Sequence, residues 1–176
     1  YLESEETYGN EERVRKAIER TIEYLRTLSN EKCGVLEAYI KLIIKKGFIK
    51  KEYIEHALNC AEKCMKKYNL TQLFPSYLAL VLKVKRNGIK IKLNDDFVKQ
   101  LGYNYISSPS GMKNVRVIRN FARFLVLEGN FDEAKKIYDQ LVNKIKKIKG
   151  EKETRSNVFY SYGKMLLTQA MNLAPN

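Results

Sequence analysis

One histidine and two cysteines are spaced so that they could bind a metal ion. His56, Cys60 and Cys64 follow one another at intervals of four residues, which places them on one face of a helix. Imidazole nitrogen and thiolate sulfur are ligands that zinc prefers. Three ligands spread over two helical turns cannot converge on one tetrahedral ion, and Cys33 is the only other cysteine. We therefore interpret these residues as buried side chains of a helix interface and predict no metal site and no cofactor.

The cysteine content also bears on the redox environment. The chain has 3 cysteines, an odd number without the spacing of a small secreted domain. We therefore expect no disulfide framework, and the pattern favours a reducing, intracellular setting, which we take to be the cytoplasm. No run of residues approaches the roughly 18–20 apolar residues that span a bilayer, so a membrane is not expected as a partner.

Arginines on one predicted helix form the clearest candidate binding site. Arg116, Arg119, Asn120 and Arg123 lie at i, i+3, i+4 and i+7, which is one side of a helix, and Lys164 lies 41 residues after Arg123. Guanidinium groups bind carboxylates and phosphates through two parallel hydrogen bonds. This ridge could therefore hold an acidic peptide, a terminal carboxylate or a nucleic-acid backbone. A solvated helix face explains the same residues without a ligand.

The charge of the chain favours an anionic partner. The formal net charge is +13, and it is uneven: residues 1–30 hold seven acidic and five basic side chains, whereas residues 31–176 hold 13 acidic and 28 basic ones. Such a body attracts acidic proteins or nucleic-acid phosphates. The lysines scatter around the predicted helices, and no helix-turn-helix, zinc-finger, KH or RRM signature is present. A protein or acidic peptide is therefore the preferred partner, with nucleic acid as the alternative.

No residues with the spacing of a catalytic site are found. The sequence contains 1 histidine and lacks a glycine-rich phosphate loop or a nucleophile paired with a base. The acidic pairs Asp95-Asp96 and Asp132-Glu133 fall in the first turns of predicted helices, where they compensate the helix dipole. We therefore expect a noncatalytic protein.

The elements that must position these residues recur every 41 residues. Gly47, Gly88 and Gly129 keep this interval, and each lies where a helix must end. Apolar residues before them form three columns at the same interval and in helical phase. The columns are Leu36, Tyr77, Ile118 and Phe159; Tyr39, Leu80, Phe121 and Tyr162; and Ile43, Val84, Leu125 and Leu166. A fixed period of this size indicates stacked helical hairpins.

The helix boundaries follow from turn residues and apolar spacing. Helices are predicted from after Gly9-Asn10 to about Leu28, over about 31–46, 50–68 and 71–86, briefly from Asn94 to about Leu101, from Met112 to Gly129, from Phe131 through Ile145, and over about 155–172. Residues 89–93 are predicted to be an extended connection, and 102–111 a loop. The last helix is predicted to turn Phe159, Tyr162, Gly163, Leu166 and Ala170 inward.

Residues 121–134 together with Tyr138 resemble a tetratricopeptide repeat. Positions typical of that family are the small residue, the turn between two helices, and the alanine and aromatic of the second helix. Ala122, Gly129, Phe131, Ala134 and Tyr138 match them in spacing. Tyr162-Gly163 with Leu166, and the closing residues 173–176, resemble parts of another repeat. The family's usual period is about 34 residues, so the chain resembles a divergent member; pentatricopeptide and HEAT-like solenoids have related architectures.

The resemblance implies an all-α fold, a right-handed α-α superhelix of helical hairpins with about eight helices. It implies one helical-repeat domain over residues 1–176, with units of about 10–30, 31–71, 72–112, 113–153 and 154–176. The chain opens with Tyr1 rather than methionine, so we expect a fragment that lacks its true amino terminus. Residues 172–176 resemble the turn between two hairpins, so we also expect the array to continue past them.

In that family the first helix of each hairpin lines a concave groove, which places the arginine ridge and Lys164 there. The expected function is a protein-interaction or scaffold module that binds an acidic peptide or partner through this basic groove. Nucleic-acid binding through the same charge, and a scaffold whose open terminal face stacks on another chain, are the other hypotheses.

Overall fold

The computed structural model describes residues 2–46, 50–147 and 152–173, and within these ranges all regular structure is helical. Helices make up 81% of the structure. Its helices are α1 (Leu2–Tyr24), α2 (Gly34–Lys45), α3 (Lys51–Tyr68), α4 (Phe74–Arg86), α5 (Asp95–Ser107), α6 (Val115–Leu127), α7 (Phe131–Lys146) and α8 (Lys152–Leu173). Short 3₁₀ turns at Thr71–Leu73 and Gly111–Lys113 precede α4 and α6. The predicted all-α class and helix number are confirmed for the described residues.

Two compact units divide the chain, Tyr1–Leu93 and Asn94–Asn176. We call them the N-terminal unit, with α1 to α4, and the C-terminal unit, with α5 to α8. Residues 89–94 connect α4 to α5 without helix or strand, as predicted. The boundary falls inside the predicted repeat 72–112, so the two helices of that repeat belong to different units.

The core of the N-terminal unit lies where α2 packs against α3 and α4. The column residues of α2 and α4 are all buried: Leu36, Tyr39, Ile43, Tyr77, Leu80 and Val84. The ammonium of Lys83 donates hydrogen bonds to the carbonyls of Ile43, Ile44 and Lys46 at 3.1, 2.8 and 3.2 Å. These carbonyls belong to the end of α2, where a helix leaves acceptors without intrahelical donors. Lys83 therefore ties α4 to the end of α2.

A disulfide joins Cys33 to Cys64, with 6.1 Å between the Cα atoms. This bond contradicts the expectation of no disulfide framework, because pairing depends on distance in the folded chain and not on the number of cysteines. Cys33 precedes α2 and Cys64 lies in the last part of α3, and the antiparallel packing of these helices brings both to one end of the hairpin. Cys60 and Cys64 are buried as predicted, whereas His56, which was predicted to be buried with them, is only partly buried. The disulfide removes the basis on which a reducing environment was predicted.

The first helix begins earlier than predicted. α1 is continuous from Leu2 through Gly9 and Asn10, because a single glycine inside a helix costs only about 1 kcal/mol. Val14 and Ile18 are buried, as is Leu25 just after the helix ends at Tyr24. The turn-forming pair Gly9-Asn10 therefore does not mark the start of this helix.

In the C-terminal unit, α5 extends into the segment 102–111 that was predicted to be a loop. The helix runs to Ser107, and Gly102 lies buried within it. A Cβ at Gly102 would overlap the ring of Phe121 on α6. The glycine therefore permits close packing of two helices here and does not form a turn.

The hairpin of α6 and α7 forms as predicted. Gly129 has a φ of +79°, a left-handed conformation that glycine adopts without penalty. Phe121, Ala122 and Leu125 are buried on α6, and the predicted inward residues Ala134, Ile137, Tyr138, Leu141 and Ile145 are buried on α7. This hairpin carries the residues that resemble a tetratricopeptide repeat.

The last helix turns a different face inward than the 41-residue interval predicts. Val158 and Met165 are buried on α8, whereas Phe159 and Leu166 are 50% and 40% exposed. The helix is thus rotated by about one residue, or roughly 100°, relative to the predicted face. The Tyr162 hydroxyl donates to Asp139 Oδ1 at 2.8 Å, and the ring packs edge-on against Tyr138. These contacts with α7 accompany the observed rotation.

Some predicted features fall on residues outside the described ranges. They are Gly47, the break at 149–151 and residues 174–176 of the closing turn.

Candidate functional site

A cleft of about 800 Å³ lies in the C-terminal unit, where the start of α6 meets the start of α8. Polar and basic side chains dominate its lining. The lining residues are Ser110, Lys113, Asn114, Val115, Arg116, Arg119, Glu153, Thr154, Asn157 and Val158. The cleft is large enough for several side chains of a peptide.

Hydrogen bonds to α5 hold the segment that leads into the cleft. The Ser108 hydroxyl donates to the Tyr105 carbonyl at 2.6 Å and accepts from the Gly111 amide at 3.1 Å. A Cβ at Gly111 would overlap the Tyr105 carbonyl, so glycine is required for this close approach. The Asn114 amide group donates to the Tyr105 hydroxyl at 3.3 Å. These contacts set where α6 begins.

The N-terminus of α6 is capped by Asn114, whose side-chain oxygen accepts from the Val117 amide at 3.2 Å. This cap fixes the first turn of the helix, which carries Arg116. Arg119 follows one turn later on the same side. The local sequence therefore directs two guanidinium groups to one wall of the cleft.

The cleft is electropositive for two reasons. Three cations, Lys113, Arg116 and Arg119, line it together with one carboxylate, Glu153. Two helices also begin at its walls, because the first turns of α6 and α8 contribute lining residues. The N-terminal end of a helix carries a partial positive charge of about half a unit. A carboxylate or phosphate is therefore the ligand group favoured here.

Two of the five residues predicted from the sequence lie in the cleft. Arg116 and Arg119 line it, whereas Asn120, Arg123 and Lys164 are not among its lining residues. Asn120 and Arg123 are partly buried further along α6. Lys164 is exposed on α8, and its ammonium lies 5.9 Å from the centre of the Tyr160 ring. Only the first part of the arginine ridge, Arg116 and Arg119, therefore forms a wall of the cleft.

The sequence reasoning missed Lys113, Asn114 and Asn157. Asn157 lies 41 residues after Arg116, so the repeat interval assigns both to the same position of successive repeats. That interval was the signal that could have identified Asn157. Lys113 and Asn114 lie in a turn whose geometry depends on α5, and no spacing rule in the sequence indicates it.

The His56 cluster in the N-terminal unit has a different environment. The Cys60 Sγ lies 3.5 Å from His56 Nε2, and the Tyr39 hydroxyl lies 3.3 Å from His56 Nδ1. Burial lowers the pKa of His56 and raises those of Cys60 and Tyr39, which favours the uncharged form of each group. Cys64 is disulfide-bonded and cannot serve as a thiolate ligand. No group of three or more potential metal ligands occurs in the part of the chain that the structure describes.

The comparisons with known proteins find nothing similar to this chain. No family model, no curated protein and no solved structure matches it. None of the described helices is both long enough and apolar enough to cross a membrane. Function is therefore inferred from the geometry and charge of the cleft.

Proposed function

We propose that the chain is a noncatalytic protein-interaction module that binds an acidic peptide of a partner protein in the cleft between α6 and α8. The observation that carries this proposal is the convergence of Lys113, Arg116 and Arg119 on one cleft. Arginine pairs with carboxylates through two hydrogen bonds, and hydrogen bonds to charged groups contribute about 1.5–3 kcal/mol each. Asn157 offers an additional amide donor for the peptide backbone.

The test measures binding of a fluorescent peptide of glutamates by anisotropy. We expect the double variant Arg116→Glu/Arg119→Glu to weaken binding by at least about tenfold, because each contact replaced is worth more than 1 kcal/mol. The matched control is Lys136→Glu/Lys146→Glu. It makes the same change in net charge at two exposed residues of α7, and it should change the affinity less than about twofold.

Two results would contradict the proposal. Equal loss in both double variants would mean that the peptide is attracted by net charge alone. The second result is that the protein binds oligothymidine more tightly than the peptide, that this binding depends steeply on salt, and that the Arg116→Glu/Arg119→Glu variant loses it. This result would favour a nucleic-acid phosphate ligand. A glutamine peptide of equal length serves as the uncharged control.

Variants Arg123→Glu and Lys164→Glu test how far the site extends. Both residues belong to the sequence-predicted ridge but lie outside the cleft lining. If the peptide is confined to the cleft, each should reduce affinity less than about threefold, the range of an exposed ion pair. Losses as large as that of Arg116→Glu would assign the peptide to the whole ridge instead.

We also infer that the hairpins are repeats of a tetratricopeptide-like, right-handed superhelix. The support is the 41-residue interval, the positive φ angles of Gly88 and Gly129, and the burial of the column residues on α2, α4 and α6. Solution X-ray scattering tests it: a curved, elongated particle is expected, and a particle as compact as a closed helical bundle would contradict it.

A further inference from the structure

The outer face of α8 is the largest group of exposed apolar side chains on any one described helix. Tyr160, Leu167 and Met171 are 73%, 68% and 75% exposed, and Phe159 and Leu166 flank them with 50% and 40% exposure. We call these five residues the α8 face. Tyr160, Leu167 and Met171 lie on the side of the helix opposite Val158 and Met165, which are buried against the rest of the C-terminal unit. Phe159 and Leu166 lie between the exposed and the buried side.

The corresponding positions of the preceding repeat are covered. Ile118 and Leu125 lie 41 residues before Phe159 and Leu166, and they are 7% and 0% exposed in a helix that packs against α7. On α8 the equivalent side chains face solvent in the described part of the chain. The α8 face therefore has the composition of a helix interface, and none of the described helices covers it.

The size of the α8 face suits a dimer interface. Taking about 200 Å² for each large apolar side chain when fully exposed, the observed exposures amount to on the order of 600 Å² per copy. Two copies would together bury about 1,200 Å², the lower end of stable protein interfaces. Contiguous exposed apolar patches of this size are uncommon on monomers and mark interaction surfaces.

The spacing of the face also suits a second identical helix. Tyr160, Gly163, Leu167 and Ala170 alternate at intervals of three and four residues, the seam of two helices that pack side by side. Residues 156–173 contain only one charged side chain, Lys164, at the edge of this seam. A Cβ at Gly163 would meet nothing within 4 Å, so the surface there is open.

We propose that two copies of this chain associate through antiparallel packing of their α8 faces. In an antiparallel pair, Tyr160 of one copy lies level with Ala170 of the other, and Leu167 lies level with Gly163. Each large residue of the seam thus meets a small one, which lets the helices approach closely. The two-fold axis passes level with Met165, and the two Leu166 side chains meet beside it.

The same register places the two Lys164 side chains near each other on the opposite edge. Their repulsion weakens when salt screens it. Dimerisation should therefore strengthen as salt is raised, whereas acidic-peptide binding in the cleft should weaken. This opposite dependence separates the two proposals, because the dimer does not depend on the cleft residues.

The first test is sedimentation velocity over a wide range of protein concentration. We expect a concentration-dependent dimer, and we expect Leu167→Glu to raise its dissociation constant by at least about a hundredfold, because a carboxylate would be buried against Gly163 of the other copy. Leu127→Glu is the matched control: Leu127 is 46% exposed on α6 and lies outside the face. It should leave the dimer intact.

Circular dichroism distinguishes a loss of dimerisation in Leu167→Glu from a loss of folding. Leu167 is mostly exposed, so the variant should retain the helix content and melting temperature of the monomer. A wild-type chain that stays monomeric at the highest concentration would overturn the proposal. A dimer that Leu167→Glu leaves unchanged would overturn it as well.

Disulfide trapping tests the register. In a Cys60→Ser background, the double variant Tyr160→Cys/Ala170→Cys should form a covalent dimer on mild oxidation, since the two positions face each other in the antiparallel pair. Either single variant should stay largely monomeric on a nonreducing gel. Efficient dimers from a single variant would indicate parallel helices and overturn the proposed packing.

Discussion

At the scale of single residues, Gly102 holds α5 close to α6. The ring of Phe121 lies where a Cβ would project from residue 102, and it packs edge-on against Tyr103 with 5.0 Å between ring centres. Phe121 is fully buried and cannot move aside without disturbing the core. The position therefore accepts only glycine without rearrangement.

We predict that Gly102→Ala destabilises the protein by about 1–3 kcal/mol, the usual cost of overpacking a dense core. Urea denaturation measures the change in unfolding free energy. Gly34→Ala is the control, because a Cβ at Gly34 in α2 would meet nothing within 4 Å. That variant should be neutral or slightly stabilised, since alanine favours helix. Equal losses in both variants would contradict the proposed role of the Phe121 ring.

His56 links stability to pH in a defined direction. Burial, and to a lesser extent Lys63, lowers the folded-state pKa of His56 below its ordinary value of 6.5. As pH falls through the unfolded-state value, the unfolded chain takes up a proton that the folded chain does not. The unfolding free energy must therefore decrease as pH is lowered in this range.

We predict a loss of stability between about pH 7.5 and 5.5 that the variant His56→Gln largely lacks. The window lies above the usual pKa values of carboxylates, and His56 is the only histidine. Thermal melts of both proteins at matched ionic strength measure the two slopes. The same slope in the variant would show that His56 is not the titrating group.

At the scale of elements, the hairpin of α2 and α3 depends on a covalent bond as well as on packing. The Cys33–Cys64 disulfide closes a loop with a sequence separation of 31 residues. Such a loop restricts the unfolded chain, which stabilises the folded state by about 3–4 kcal/mol in the chain-entropy treatment. Both sulfur atoms lie in the core beside α2.

We predict that Cys33→Ser lowers the unfolding free energy by about 3–4 kcal/mol. A reductant should lower the unfolding free energy of the wild-type protein by a similar amount. Chemical denaturation with and without reductant measures both effects. Cys60→Ala is the control, because Cys60 is a free thiol; it should retain the response to reductant. A wild-type midpoint that reductant does not move would contradict the prediction.

Elements with their own turn chemistry were predicted well. Asn94 caps α5, Gly88 and Gly129 end α4 and α6 in left-handed conformations, and the inward residues of α7 are those predicted. Each of these features is decided within a few residues of the chain. By contrast, the length of α5 was missed, since serine, proline and glycine after Gly102 indicate a loop when neighbouring helices are unknown.

At the scale of the whole molecule, the two compact units have separate cores. The N-terminal unit is built on α2, α3 and α4, and the C-terminal unit on α6, α7 and α8. The disulfide lies entirely within the N-terminal unit. Reduction of the disulfide should therefore destabilise mainly the N-terminal unit, because different segments of a structure can open separately, each with its own free energy.

We predict that reduction increases amide hydrogen exchange much more in α3 than in α7. Hydrogen exchange followed by mass spectrometry, with and without reductant, resolves the two helices. We expect at least about a tenfold faster exchange in Lys51–Tyr68 and less than about a twofold change in Phe131–Lys146, since exchange rates follow local opening free energies. Equal acceleration in both helices would mean that the units unfold together.

The candidate site was predicted in part. The helical spacing of Arg116 and Arg119 identified one wall of the cleft, because spacing along one helix is enough to place both side chains on the same side. The other wall comes from α8, and the turn carrying Lys113 is held by Tyr105 of α5. These contacts join residues far apart in the chain, which helical spacing does not encode.

The sequence alone determined the helical class, the 41-residue interval and the residues that cap and end several helices, because propensity, apolar spacing and glycine conformation act over a few positions. The tertiary structure decided which cysteines pair, which side of α8 is buried and where the cationic groups converge. Those outcomes depend on distances between helices. A one-residue rotation of α8 exchanges Val158 for Phe159 at the core, and only packing against neighbouring helices selects between them.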